Sequence, residues 1–261
     1  MTIERIQRQL EYLKLQHIPG MIGELADSAL RDKQSPIEFL DGILKLEVDY
    51  REDRRRHTSL KLSGLPKGMH LDNFDHSFQP SVEKERVTFL ADSGYCARHE
   101  NIILFGPPGV GKTHLAVGFG VKAVEHGHSV SYYTAEGLIA ELRKNAAKPV
   151  AAQKQNGYVK AALLIIDEFG YQTFDRQEAH LFFQLVAVRY LKGSIIITSN
   201  RSVKEWVPVF DNDEMLTSAI VDRLFHKGHI FNIDGKSYRL KEYAKTRSEE
   251  HTSELQSRFG I

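Results

Sequence analysis

Ile102-Ile103-Leu104-Phe105-Gly106-Pro107-Pro108-Gly109-Val110-Gly111-Lys112-Thr113-His114-Leu115-Ala116-Val117 joins an apolar run to a helix-like run through a glycine loop. Gly106 to Thr113 match the pattern G-x-x-x-x-G-K-[ST], and both flanks are of the kind the pattern requires. The chemistry needs these residue types. Glycines let the backbone turn tightly with its N–H groups aimed inward, so the loop cradles phosphate oxygens at a helix N-terminus. Lys112 then reaches the β- and γ-phosphates, and the Thr113 hydroxyl ligates Mg²⁺. Gly106, Pro107, Pro108, Gly109, Val110, Gly111, Lys112, Thr113 and His114 are the candidate nucleotide-binding residues. The stretch reads as a site for ATP or GTP with Mg²⁺.

Leu163-Leu164-Ile165-Ile166 is an apolar run of buried-strand length that ends in Asp167-Glu168. By itself such an ending is a strand running out into two solvated acids. Downstream of a phosphate loop it reads differently, because ligands of open α/β sheets bind at the carboxyl ends of the strands. Asp167 is placed to hold Mg²⁺ and Glu168 to polarise an attacking water. A further apolar strand, Ser194-Ile195-Ile196-Ile197-Thr198, leads into Ser199-Asn200-Arg201. Asn200 is expected between the ends of the first and third strands, near the γ-phosphate. Phosphoryl transfer also needs positive charge at the transition state, in cis or from a neighbouring protomer. Arg223, in Ala219-Ile220-Val221-Asp222-Arg223-Leu224, and Arg239, in Ser237-Tyr238-Arg239-Leu240, are the candidates. For Arg223, simple pairing with a nearby acid stays open.

The 261 residues are 41% hydrophobic with a net charge of +1, which fits a globular chain and by itself says nothing of nucleic acid. Cys96 is the sole cysteine, so no internal disulfide is expected and a reducing cytosol is the expected setting. No long apolar run and no signal peptide is read, which argues against a membrane role. The twelve histidines form no ligand spacing.

The first sixty or so residues look helical. Ile6, Leu10, Leu13 and Ile18 suggest an apolar face broken at Pro19-Gly20. Ser35-Pro36-Ile37-Glu38 is a capping box with proline at the first helical position, opening a helix expected to end near Arg54-Arg55-Arg56. Those arginines suit either a solvated helix end or a phosphate-contacting patch. Ser63 to Gly68 reads as a linker. Beyond it, strands expected at Ile102–Phe105, Val130–Tyr133, Leu163–Asp167, Ile195–Thr198 and Ile230–Ile233 alternate with helical stretches. The expected organisation is a helical domain over 1–66, an α/β domain over 67–246 and a tail over 247–261. The tail, beginning Arg247-Ser248-Glu249-Glu250-His251, is similar to translated sequencing-adapter DNA and is set aside as non-native.

Gly106–Thr113, Leu163–Glu168, Thr198–Asn200, Asp222–Arg223 and Ser237–Arg239, in this order, resemble the AAA+ ATPases of the DnaC/DnaA initiator clade. The closer resemblance is to IstB-type transposition helpers of bacterial insertion sequences. It is carried by Leu13-Lys14-Leu15, Glu38-Phe39-Leu40, Glu47 with Arg51, Leu71-Asp72-Asn73-Phe74-Asp75, Trp206 with Phe210, and Gly235 to Lys241. It covers about residues 5–245. Phe225-His226-Lys227 and Val207-Pro208-Val209 depart from the family pattern.

The resemblance implies an AAA+ P-loop core with a five-stranded, mainly parallel sheet behind a small all-α domain that serves oligomerisation, DNA or partner contact. It implies Walker A roles for Lys112 and Thr113 and Walker B roles for Asp167 and Glu168. Asn200 would be sensor 1, Arg223 a finger reaching a neighbour's ATP, and Arg239 sensor 2. It further implies a bacterial cytoplasmic ATPase that oligomerises on double-stranded DNA and assists a cognate transposase. Arg143, Lys144, Lys148, Lys154 and Lys160 lie in the 137–162 stretch where such relatives place basic contacts to DNA. With Arg54, Arg55 and Arg56 they are the candidate phosphate contacts, against the alternative of ordinary solvated helix faces. A helicase loader is the nearest rival reading; an ATP-gated scaffold and a small-molecule kinase are weaker.

Overall fold

Buried parallel strands need apolar residues on both faces, and the strand runs of this chain supply them. The computed structural model describes residues 2–92, 94–148 and 156–240, and the expected tail 247–261 lies outside them. The chain divides into two units, Met1–Ser59 and Leu60–Ile261.

The first unit is helical: α1 (Thr2–Tyr12), α2 (Ile22–Arg31) and the start of α3 (Pro36–Leu62). Its core is Ile18, Ile22 and Ile43, with Ile6, Leu10, Leu25 and Phe39 packed around them. Leu13, expected on the same face, is 64% exposed, because α1 has already ended at Tyr12 and Lys14 takes a left-handed turn. The capping box forms as read: Ser35 N–H donates to Glu38 and Glu38 N–H to Ser35 Oγ. The helix it opens, however, runs past Arg54–Arg56 to Leu62. Arg56 pairs with Glu52 one turn back, so these arginines sit in the helix interior and do not face a helix C-terminus.

Glu47 is buried in this unit and ties the turn after α1 to α3. Its carboxylate accepts the backbone N–H groups of Gln16 and His17 at 3.2 Å each and the Arg51 guanidinium at 2.8 Å. Burial pushes its carboxyl up, but Arg51 and the two N–H bonds outweigh burial and hold it below the usual range. Glu47→Ala is expected to cost about 1–3 kcal/mol, because it orphans two backbone donors, read as a lowered thermal midpoint by circular dichroism. A depressed carboxyl stabilises above its unfolded value and the contribution fades as pH falls through the folded one. Wild type should therefore lose stability on acidification below about pH 4.3 faster than Glu47→Ala does.

In the second unit, α4 (Lys84–Asp92) precedes β1 (Asn101–Phe105), α5 (Lys112–Glu125), β2 (Val130–Thr134) and α6 (Ala135–Ala146). A short helical turn, Gly157–Lys160, leads to β3 (Leu163–Phe169), α7 (Arg176–Arg189), β4 (Ser194–Ser199), α8 (Glu214–Phe225) and β5 (Gly228–Asn232). The strands form one sheet in the order β2-β3-β4-β1-β5. Every pairing in it is parallel. Helices cover both faces. Ile103, Ile166 and Ile197 pack with α6, α7 and α8 on one side, and Ile102, Leu104 and Ile165 pack with α4 and α5 on the other. β4 lies between β1 and β3, so the tips of three strands converge where the phosphate loop leaves β1.

Candidate nucleotide site

The loop from β1 to α5 is built from backbone that side chains would obstruct. At Gly109 (φ +82°) an added Cβ would lie 2.1 Å from Ser237 Oγ, and at Gly111 (φ +99°) it would lie 2.7 Å from the Phe74 ring. Glycine is required there by conformation and by space. Lys112 Nζ donates to the carbonyls of Gly106 and Pro107, both at 2.7 Å, which holds the ammonium inside the loop. Burial pushes Lys112 below the usual lysine range; Asp167 opposes that shift, and the charge of Arg239 adds to it. Arg239 lines the same cavity as Lys112.

Asp167, 3% exposed at the tip of β3, is surrounded by hydroxyls. Thr113 Oγ1 donates to it at 3.0 Å from both carboxylate oxygens. Thr198 donates to Oδ1 at 2.5 Å and Tyr132 to Oδ2 at 2.7 Å. Burial, followed by the bond and charge of Asp167, pushes the Tyr132 phenol far up, so it stays a proton donor.

Glu168 follows Asp167 in the strand, where successive side chains leave opposite faces, and β3 also bulges at this point. Ile166 pairs with Ile197 and Phe169 with Ser199, so β3 spends one residue more than β4 between the two pairs. The extra backbone sits at Glu168, in the left-handed region at φ +60°, with its N–H bonded to Thr198 Oγ1 at 3.0 Å. A non-glycine residue there costs about 1–2 kcal/mol. Asp167 is buried beside Thr113 while Glu168 is exposed and lines the cleft.

Beside the buried Asp167 lies a cavity of about 440 Å³, lined by its partners Thr113 and Thr198 and by Glu168. Gly109, Lys112, Thr113 and His114 from the phosphate loop and the start of α5 line it together with Glu168, Thr198, Asn200 and Arg239. Asn200 Oδ1 is buried with no hydrogen-bond partner, an orphan at the cavity wall. A glycine cradle, an orphaned amide and a hydroxyl–carboxylate pair fit a nucleotide polyphosphate with Mg²⁺. No cluster of three His, Cys, Asp or Glu gathers among the described residues, and a cation shared by Thr113, Asp167 and phosphate needs none.

Residues 8–246 match the model of the family described as IstB-like ATP binding protein. The chain belongs to that family. It is 42% identical over 236 residues to an insertion sequence IS21 protein of Pseudomonas aeruginosa described as ATP-binding, covering 90% of this chain and 89% of the relative. It is 39% identical over 239 residues to the corresponding IS5376 protein of Geobacillus stearothermophilus, covering 90% and 95%. Among solved structures, AMPPCP-bound DnaA from Aquifex aeolicus superposes with a TM-score of 0.55 at 22% identity, over 71% of this chain and 56% of DnaA. The DnaC helicase loader does so with 0.51 at 19%, over 64% and 97%. The second unit of this IstB-like chain therefore has the AAA+ fold of these proteins.

The remaining sequence candidates lie elsewhere. Arg223, on α8, donates to Ala219 O at 2.7 Å and stands 5.1 Å above the Phe183 ring. It does not line the nucleotide cavity of its own chain. Arg143 is held by Asp175 at 2.7 Å and Glu178 at 2.8 Å, at the start of α7, and Lys144 pairs with Glu141. Lys148 and Lys160 are exposed, and Lys154 lies outside the described residues. Arg54 donates to Gln16, Arg56 pairs with Glu52 and Asp53, and Arg55 is exposed. Sequence reasoning gave no site role to Met69, Asn73, Phe74, Asp75 and Gln79, which line the cavity. Their signal was Leu71–Asp75, a segment singled out by resemblance alone. Among the described residues no helix is long and apolar enough to cross a membrane.

Proposed function

We propose that this chain is a Mg²⁺-dependent ATPase of bacterial insertion sequences that assembles on duplex DNA and assists a transposase in engaging target DNA. The observation that carries the enzymatic part is the division of labour at the tip of β3, where Glu168 lines the cleft while the buried Asp167 is bonded to Thr113. Lys112 and the loop N–H groups bind the β- and γ-phosphates, and Arg239 adds positive charge to the same cavity. Thr113 and Asp167 are the residues that would hold Mg²⁺, which would neutralise charge on the phosphates. Glu168 polarises the attacking water and Asn200 orients it, through the amide oxygen now lacking a partner. Arg223 acts on the ATP of a neighbouring copy, since it stands outside its own cavity.

Family membership from residue 8 to 246 supports the transposition role, because it includes the helical unit as well as the ATPase core. For DNA, Arg54, Arg55, Arg56, Lys144, Lys148, Lys154 and Lys160 are the proposed phosphate contacts, and Arg143 contributes less, because two carboxylates already hold it.

The test is ATP hydrolysis with and without duplex DNA at low and moderate salt, with the same samples sized. Stimulation by duplex, weakened by salt, together with ATP-dependent oligomers supports the proposal. Hydrolysis indifferent to duplex and no assembly on it overturns the DNA role and favours a helicase loader, which capture of a hexameric helicase would reveal.

A further inference from the structure

We infer that Tyr132 is a positioning residue for the Mg²⁺ site, a role that rests on the nucleotide reading above and goes beyond it. The Asp167 carboxylate has two oxygens with fixed neighbours. Thr198 takes Oδ1 at 2.5 Å, Tyr132 takes Oδ2 at 2.7 Å, and the Thr113 hydroxyl is shared between them at 3.0 Å. Clamped at both oxygens, the carboxylate cannot turn about its Cβ–Cγ bond. It is thus held with the Thr113 proton directed at it, which leaves the Thr113 oxygen lone pairs free to face a cation. Removing the Tyr132 hydroxyl leaves Oδ2 with only its share of the Thr113 hydroxyl, and the carboxylate is then held less firmly or takes up water.

The phenol arrives from a different strand and is itself fixed. In the β2–β3 register Tyr132 stands opposite Ile165, and Thr134 opposite Asp167, so the side chain reaches diagonally along one face of the sheet. β2 is one of the two edge strands of the sheet, and its Tyr132 N–H donates to Ser63 O at 2.8 Å. Ser63 is buried and bonded through its hydroxyl to Leu60 O and Leu65 N–H. The edge of the sheet is therefore stapled at the residue that carries the phenol. Charge-assisted bonds of this kind, donated to a metal-holding carboxylate, set metal affinity more than they set the fold.

Tyr132→Phe keeps the ring and removes the donor. Binding of a non-hydrolysable ATP analogue is measured by calorimetry in EDTA and across a series of free Mg²⁺ concentrations, with the melting temperature taken alongside. The expected result is affinity in EDTA within about twofold of wild type, and a half-effect Mg²⁺ concentration raised about tenfold. An unchanged Mg²⁺ half-effect, or an equal loss of affinity with and without Mg²⁺, overturns the role of Tyr132. A wild-type protein that binds no analogue, or binds it indifferently to Mg²⁺, overturns the nucleotide reading itself, so the two failures are told apart.

Discussion

Glu168→Gln is expected to bind ATP as tightly as wild type and to hydrolyse it roughly 10²–10⁴-fold more slowly, the range associated with a positioned general base. The substitution leaves the backbone alone. The bulge is set by the pairing of Ile166 and Phe169 with β4 and by the Thr198 bond to the Glu168 N–H, none of which involves the Glu168 carboxylate. Glutamine keeps the length of the side chain and loses the charge that polarises water. ATP-bound assemblies on duplex should therefore persist, and single-turnover hydrolysis with equilibrium binding on one preparation measures both sides. A near-wild-type rate would remove Glu168 from the mechanism. Glu168→Gly separates strain from chemistry: it should be equally slow, yet more stable by up to about 1 kcal/mol, since glycine accepts the left-handed backbone at φ +60° without penalty.

The sheet and the phosphate loop were legible because each is written in contiguous residues. Four-residue apolar runs mark β1 and β3, and the glycine loop between β1 and α5 can serve few other purposes. Position within the sheet was legible too: Asn200 was expected between the first and third strands, and β4 does lie there. What stayed hidden depends on distance in sequence or on one residue of backbone. The bulge at Glu168 leaves no mark in composition. Tyr132, Thr113 and Thr198 meet at Asp167 from separate elements, and a tyrosine in an edge strand looks like any β-former. The end of α3 was misjudged because arginines were taken as a stop signal, whereas Arg56 paired with Glu52 sustains the helix until Gly64 at φ +74°. The partners of the basic segment were hidden as well. Arg143 counts as positive charge in sequence, but Asp175 and Glu178 neutralise it in the fold.

Arg223→Ala is expected to abolish stimulated hydrolysis, by about 10³–10⁵-fold, the contribution of arginine fingers in related phosphoryl transfer, while ATP binding by the isolated protomer stays unchanged. The two halves of that expectation have one geometric source. Arg223 lines a small separate recess with Asn101, Arg189 and Tyr190, and shares no wall with the cavity that holds Lys112 and Glu168. A side chain so placed serves no ATP in its own chain, so its loss cannot weaken binding there. Its stacking over Phe183 and its bond to Ala219 O fix the guanidinium on α8, where a second copy presents its cavity in the proposed assembly. Mixing decides the matter. Arg223→Ala combined with Glu168→Gln should recover hydrolysis above either variant alone, because Arg223 of the second completes the intact cavity of the first. Mixtures no more active than their components, or an Arg223→Ala protein with wild-type stimulated turnover, would assign this arginine to the packing of α8 against α7.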